Sequence, residues 1–132
     1  MASEDTFQCS VVTPEQAVLD CVAKFVAFPA HDGQIGILRG RAPLLCRLGI
    51  GVLRVEADGE EDRLFFIDGG FAQMVDNRLT ILTEQAKTPS ELDRAEAERL
   101  LEEAKAMSSS ESYEERQNAL ERARTQLRMA TN

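Results

Sequence analysis

The chain has no tryptophan, one tyrosine and one histidine. Any Ser-His-Asp or Cys-His set would have to use the lone His31, beside the turn His31-Asp32-Gly33, and no G-x-S-x-G occurs. Nucleophilic catalysis is therefore poorly supported, and a hydrolase is not expected. Cys9, Cys21 and Cys46 are odd in number and widely spaced, without a C-x-x-C. With a single histidine they make no metal site, and they read as small apolar residues in a reducing compartment. No apolar run approaches the ~20 residues of a membrane span. The N-terminal MASEDTFQCS lacks the basic patch and apolar stretch of a signal peptide. A soluble protein on the cytoplasmic side, with no direct membrane insertion, is expected. Basic charge is also scarce: 15 Lys and Arg against 23 Asp and Glu give a net charge of −8. That excludes nucleic acid as the main partner, because phosphate binding needs a concentrated basic face. The carboxylates lie in loops and on helix faces and read as solvated charge, not as an acid–base pair.

Phosphate loops are absent too. The stretch GQIGILRGRAPLL, residues 33–45, carries glycines 33, 36 and 40 but no Lys-Ser or Lys-Thr after them, and strand patterns surround it. A P-loop needs G-x-x-x-x-G-K-[ST] between a strand and a helix. The glycines here, and Gly69-Gly70, are read as serving backbone geometry, by positive φ or close approach. Arg39, Arg41 and Arg47 fall within nine residues of an acidic chain. They read either as a local docking patch or as scattered surface charge.

What is present divides at Thr88-Pro89. All eight glycines precede it, and neither glycine nor proline follows it in the 132 residues. Upstream, alternation at Phe7, Cys9 and Val11, apolar runs over 17–20, 22–28, 51–57, 63–68, 70–75 and 78–83, and turns at Thr13–Gln16, Asp58–Asp62 and Asp76-Asn77 predict an antiparallel sandwich or barrel. No helical pattern intervenes, so βαβ units are excluded. Downstream, Ser90 is a candidate N-cap, with Ala97, Leu100, Leu101 and Ala104 on one helix face. Ser108-Ser109-Ser110 breaks that helix. Ser112 with Glu115 opens a second, marked by Tyr113, Leu120 and Leu127, with Ala123 and Ala130. An antiparallel helical hairpin follows, with narrow alanine-rich stripes that bury little area and attach it loosely. Two domains are expected, 1–87 and 88–132. The hairpin is either a cover for the sandwich or an arm that inserts into a partner.

The segments Gly33–Leu45, Gly51-Val-Leu-Arg-Val55, Asp68-Gly-Gly-Phe71, Asn77-Arg-Leu-Thr-Ile-Leu82 and Leu92-Asp93 ahead of a two-helix tail, in this order, resemble the ε subunit of bacterial F-type ATP synthases over residues 5–130. The resemblance implies a ten-stranded antiparallel β-sandwich followed by a two-helix hairpin. It implies a non-catalytic, cofactor-free subunit of the central stalk, on the cytoplasmic face of the bacterial plasma membrane. Its partners would be the γ subunit and the ring of membrane subunits. Through the hairpin they would include the α/β catalytic head, whose ATP hydrolysis the hairpin can inhibit. Whether the coupled ion is H⁺ or Na⁺ is set in other subunits.

Departures from the family pattern are specific. Arg39-Gly40-Arg41 stands where relatives usually read Pro-Gly-His, and Gln34 stands where an acidic residue is common. Gln34, Arg39 and Arg41 are the expected contacts with neighbouring subunits. Arg116, Arg122, Arg124 and Arg128 of the last helix are the expected contacts with an acidic part of the head. Some relatives bind ATP through a Leu/Ile-Asp-x-x-Arg-Ala pattern plus arginines of the last helix. Asp93 and Arg122 match it here, but Glu96 and Gln126 replace two arginines. Weak or absent ATP binding is expected. The competing reading is a small nucleotide-sensing domain with the hairpin as its lid.

Overall fold

The computed structural model describes residues 5–107 and 112–131. The serine break at 108–110 lies outside them. Ten strands run in chain order: β1 (Phe7–Val12), β2 (Ala17–Ala23), β3 (Phe25–Ala30), β4 (Gly33–Ile37), β5 (Leu44–Arg47), β6 (Ile50–Glu56), β7 (Arg63–Asp68), β8 (Phe71–Val75), β9 (Arg78–Leu82) and β10 (Ala86–Lys87). They form two five-stranded sheets, ordered β2-β1-β9-β8-β5 and β10-β7-β6-β3-β4. Among the described residues, every strand pairing is antiparallel except β1 with β9. That parallel pair departs from the fully antiparallel expectation. The architecture is the expected ten-stranded β-sandwich with a C-terminal helical hairpin.

Period-two alternation builds the core between the sheets. β1 presents Phe7, Cys9 and Val11 inward, and β9 presents Leu79 and Ile81. The facing sheet supplies Val26, Phe28, Leu53, Val55, Phe65 and Ile67. Asp76 and Asn77 take φ values of 51° and 55°, the left-handed pair that a two-residue hairpin turn requires. Gly70 has no substitute. Its φ is 107°, and a Cβ there would lie 1.8 Å from the Leu82 carbonyl oxygen.

Three expectations change. The run 22–28 is not one strand: it divides at Lys24, where the chain leaves one sheet for the other. β2 pairs with β1, β3 pairs with β6 and β4, and the Lys24 amide donates to the Glu56 carbonyl at 2.7 Å at the corner. Ser90 does not cap the first helix. A 3-10 turn, Pro89–Glu91, comes first, closed by a reciprocal Thr88/Glu91 box. Asp93 then caps α1 (Arg94–Lys105) by accepting the Ala95 amide at 2.9 Å. Ser112 caps α2 (Tyr113–Met129) as expected, accepting the Glu115 amide at 3.0 Å. Tyr113 is 80% exposed and plays no part in the apolar stripe of α2, whose buried residues are Leu120, Ala123, Thr125 and Gln126.

The hairpin lies on the outside of one sheet. α2 crosses β6 and β7. Phe66 alternates with the core residues Phe65 and Ile67, so its ring points away from the sandwich interior, yet it is fully buried. The helices supply that cover. Among the described residues, nothing covers the second sheet in the same way.

Candidate functional site

The uncovered sheet, β2-β1-β9-β8-β5, presents a regular outer face. Its cross-strand register gives three rows. The first runs Arg47, Phe71, Leu82, Val12. The second runs Leu45, Gln73, Thr80, Ser10, Asp20. The third runs Val75, Arg78, Gln8, Val22. Leu45 is 69%, Phe71 51% and Leu82 50% exposed, and Val22 and Val75 are exposed as well. Single exposed apolar residues are ordinary, but five large ones on one pleated face form a patch of the kind that partner proteins cover. Polar groups lie between them: Arg78 separates Val75 from Val22 in the third row, and the Asp20 carboxylate accepts from Gln8 Nε2 at 2.5 Å and from Ser10 Oγ at 3.3 Å. At the Phe71 end the face opens into a cleft of about 360 Å³, lined by Val12, Pro14, Phe71, Leu82 and Thr83. This face was missed in the sequence. The outward residues are spread over five strands, and only the register assembles them.

Among the described residues, one ion pair joins the hairpin to the sandwich. Arg122 Nε donates to Asp68 Oδ2 at 2.6 Å and Arg122 Nη2 to Asp68 Oδ1 at 3.3 Å, a two-pronged contact from α2 to the end of β7. Gln85 Nε2 adds a third donor to Asp68 at 3.2 Å. The Asp68 side chain is 17% exposed, so this pair is less screened than the other ion pairs of the described residues, all of which are more open. The rest of the hairpin is loosely filled. A cavity of about 280 Å³ lies between the helices against Leu100, Ala104, Met107, Ala119 and Ala123. Alanine stripes are too short to close that space.

The residues singled out in the sequence do not form one patch. Gln34 lies near the start of β4 and is exposed; Arg39 and Arg41 lie beyond its other end, also exposed. About five extended residues, on the order of 16 Å, separate them. Arg47 closes β5 at the end that meets His31, whose amide donates to the Arg47 carbonyl, while Arg39 and Arg41 precede the start of β5. The Arg39–Arg41 turn is tied instead to the β8–β9 turn, with the Gly40 amide donating to Asn77 Oδ1 at 2.8 Å. On α2, Arg116 is half-buried and Arg124 exposed. Arg128 donates to Thr125 Oγ1 at 3.3 Å and lies 4.0 Å from Glu121.

The ATP-type residues are likewise apart. Asp93 is consumed as a helix cap. Glu96 is paired with Arg99, which holds its carboxyl below the usual carboxylate range. Arg122 is level with Leu100 and Glu103, roughly two turns along α1 from Asp93. Gln126 is buried. Among the described residues no cluster of three His, Cys, Asp or Glu side chains fits a metal ion, and no helix is long and apolar enough to cross a membrane.

The β-sandwich order and the trailing hairpin match known proteins. The family model for the ATP synthase Delta/Epsilon chain β-sandwich domain covers residues 6–89. The ATP synthase epsilon chain of Rhodopirellula baltica is 46% identical over 125 residues, 93% of this chain and 97% of that one. The chain belongs to the ε-subunit family of F-type ATP synthases. The chloroplastic epsilon chain of Porphyra purpurea is 40% identical over 131 residues, covering 96% of each. A chain of the Euglena gracilis mitochondrial ATP synthase, solved as an OSCP/F1/c-ring assembly, shares the fold at a TM-score of 0.80 and 24% identity, over 95% of this chain and 87% of that one. As in the rest of the family, the chain is a subunit of an enzyme complex.

Proposed function

We propose that this chain is a non-catalytic part of the central stalk and that it binds the γ subunit through the outer face of the β2-β1-β9-β8-β5 sheet. The observation that carries this is the asymmetry of the sandwich: one outer face is roofed by α2, the other bears Leu45, Phe71, Leu82, Val22 and Val75 uncovered. The structural neighbours come from F1/c-ring and central stalk/c-ring assemblies. That context supports γ and the membrane ring as partners here. Gln34, Arg39 and Arg41, on the two ends of β4, are the proposed contacts with those neighbours. The subunit then works peripherally on the cytoplasmic face of the membrane.

The sandwich, 1–87, and the hairpin, 88–132, act as two units in this reading. The hairpin is held down by Asp68–Arg122 and inhibits hydrolysis when it swings into the head, where Arg116, Arg122, Arg124 and Arg128 meet acidic surface. The nucleotide-lid alternative is less well supported, because Asp93, Glu96 and Arg122 all have other partners.

Binding to purified γ subunit tests the docking face. Phe71→Asp and Leu45→Asp each put a charge into a contact that is desolvated in the complex, and each is expected to weaken binding by about 10-fold or more. An exposed substitution on the opposite sheet, Leu64→Asp, is the control. Equal binding by all three rules the face out.

A further inference from the structure

Cys9 and Cys21 are twelve residues apart in sequence and opposite one another in the fold. In the β1–β2 hairpin the register pairs Phe7 with Ala23, Cys9 with Cys21 and Val11 with Leu19. All six side chains point into the sandwich: Cys9 is fully buried in the core, and Cys21 packs half-buried against it. Directly opposed residues of an antiparallel pair have Cβ atoms about 4.5–5.5 Å apart. A disulfide takes roughly 3.5–4.5 Å. Closure needs a shift of about 1 Å at most. β2 can supply it, because it is an edge strand paired only with β1, with register irregularity after Val11 and a corner at Lys24. Cys46 sits at the other edge of the same sheet, on β5 opposite Ala72, and cannot reach either thiol.

We propose that Cys9 and Cys21 are a redox-closable thiol pair, oxidised by peroxide to an intramolecular disulfide that staples the edge strand β2 to β1.

The half-exposed Cys21 reacts first, and the buried Cys9 resolves it. The Cys21 thiolate attacks one peroxide oxygen and the O–O bond breaks. This leaves a sulfenic acid, and the departing hydroxide takes the thiol proton as water. The Cys9 sulfur then attacks Cys21 Sγ, the S–O bond breaks, and the leaving hydroxide carries off the Cys9 proton as a second water. Two thiols lose two electrons, and peroxide is reduced to water. The reaction is slow. Burial, the neighbouring Cys21 and Asp20 push the Cys9 thiol up to about 12. Burial also raises Cys21, with Arg63 favouring its thiolate and Glu60 and Asp20 opposing it. The pair is a slow staple and not a fast sensor. Its sulfurs face inward, so closure leaves the outer residues Gln8, Ser10 and Val22 in place, and γ binding is expected to be the same in both redox states.

The test exposes the reduced full-length protein to millimolar hydrogen peroxide, then alkylates it and measures intact mass and free thiols. The expected product is a monomer lighter by two hydrogens, with free thiols falling from three to one. Proteolysis should give a cross-linked peptide joining Cys9 and Cys21. Dithiothreitol should restore the mass, and the thermal midpoint of the oxidised form should lie several degrees higher. Cys46→Ser should close as the wild type does, and Cys21→Ser should lose the two-hydrogen shift. Oxidation that yields only sulfinic or sulfonic adducts, covalent dimers, or a bridge that includes Cys46 overturns the proposal.

Discussion

Asp68 and Arg122 meet across 54 positions of sequence, and no local pattern announces them. Arg122 stands out in the sequence as a family-type arginine and as one of four basic residues of the last helix; its partner comes from folding α2 back over β7. Breaking a charge-assisted contact that is only partly exposed costs about 1–3 kcal/mol. Arg122→Ala should therefore loosen the hairpin selectively. Amide exchange over α2 should accelerate by roughly 10-fold or more, one factor of ten for each 1.4 kcal/mol, with the strands unchanged. Uniform acceleration throughout the chain contradicts a local latch. Cys9 carries a second consequence. Its thiol is held up at about 12 by burial, above the ordinary thiol value of 9.0. Folding therefore favours the protonated form. That stability is complete below pH 9 and is lost as pH rises through the folded value, because the unfolded chain sheds the proton first. Relative to Cys9→Ala, the reduced protein should lose about 1 kcal/mol per unit between roughly pH 9 and 11, read from urea midpoints.

Among the elements, strands whose inward residues alternate cleanly, such as β1, β6, β8 and β9, were legible, as were the turns at Asp76-Asn77 and Thr13–Gln16, where the Thr13 amide donates to the Gln16 carbonyl. β4, β5 and β10 did not show in the residue pattern. β10 has two residues and β5 four, too short to alternate. β4 carries Gly36, a residue that ordinarily argues against a strand. Here it lies under the Phe25 ring, which would have to move to admit a Cβ, 2.9 Å away. The Lys24 corner was invisible because β-branched residues continue through it; which sheet each half joins is a long-range decision. The first helix start was misplaced by three residues because Pro89 fits a 3-10 turn as well as an α-helical first turn. The helices also bear on nucleotide binding. With Glu96 bound to Arg99 and Arg122 to Asp68, ATP added to the isolated chain should give no calorimetric signal at micromolar concentrations. A micromolar dissociation constant would restore the nucleotide-lid reading.

At the scale of the whole molecule, the sandwich has two outer faces with opposite fates. One carries Phe66 and is covered by the chain's own helices; the other carries Phe71, Leu82 and Leu45 and is left for a partner. The overall order of sandwich and hairpin was readable in the sequence, from the stop in glycine and proline after residue 89 and from the family resemblance. Which face the helices choose was not read from the sequence, although the unbroken apolar run Phe65-Phe66-Ile67 of β7, buried on both sides, carries that signal. The two parts divide the work in this reading, with the sandwich docking and the hairpin restraining hydrolysis. The most direct measurement is ATP hydrolysis by the reconstituted complex carrying full-length chain or residues 1–87, with assembly followed by co-purification. The shortened chain is predicted to assemble still, and hydrolysis to rise. Hydrolysis at the same rate in an assembled complex, or failure of the shortened chain to assemble, contradicts that division.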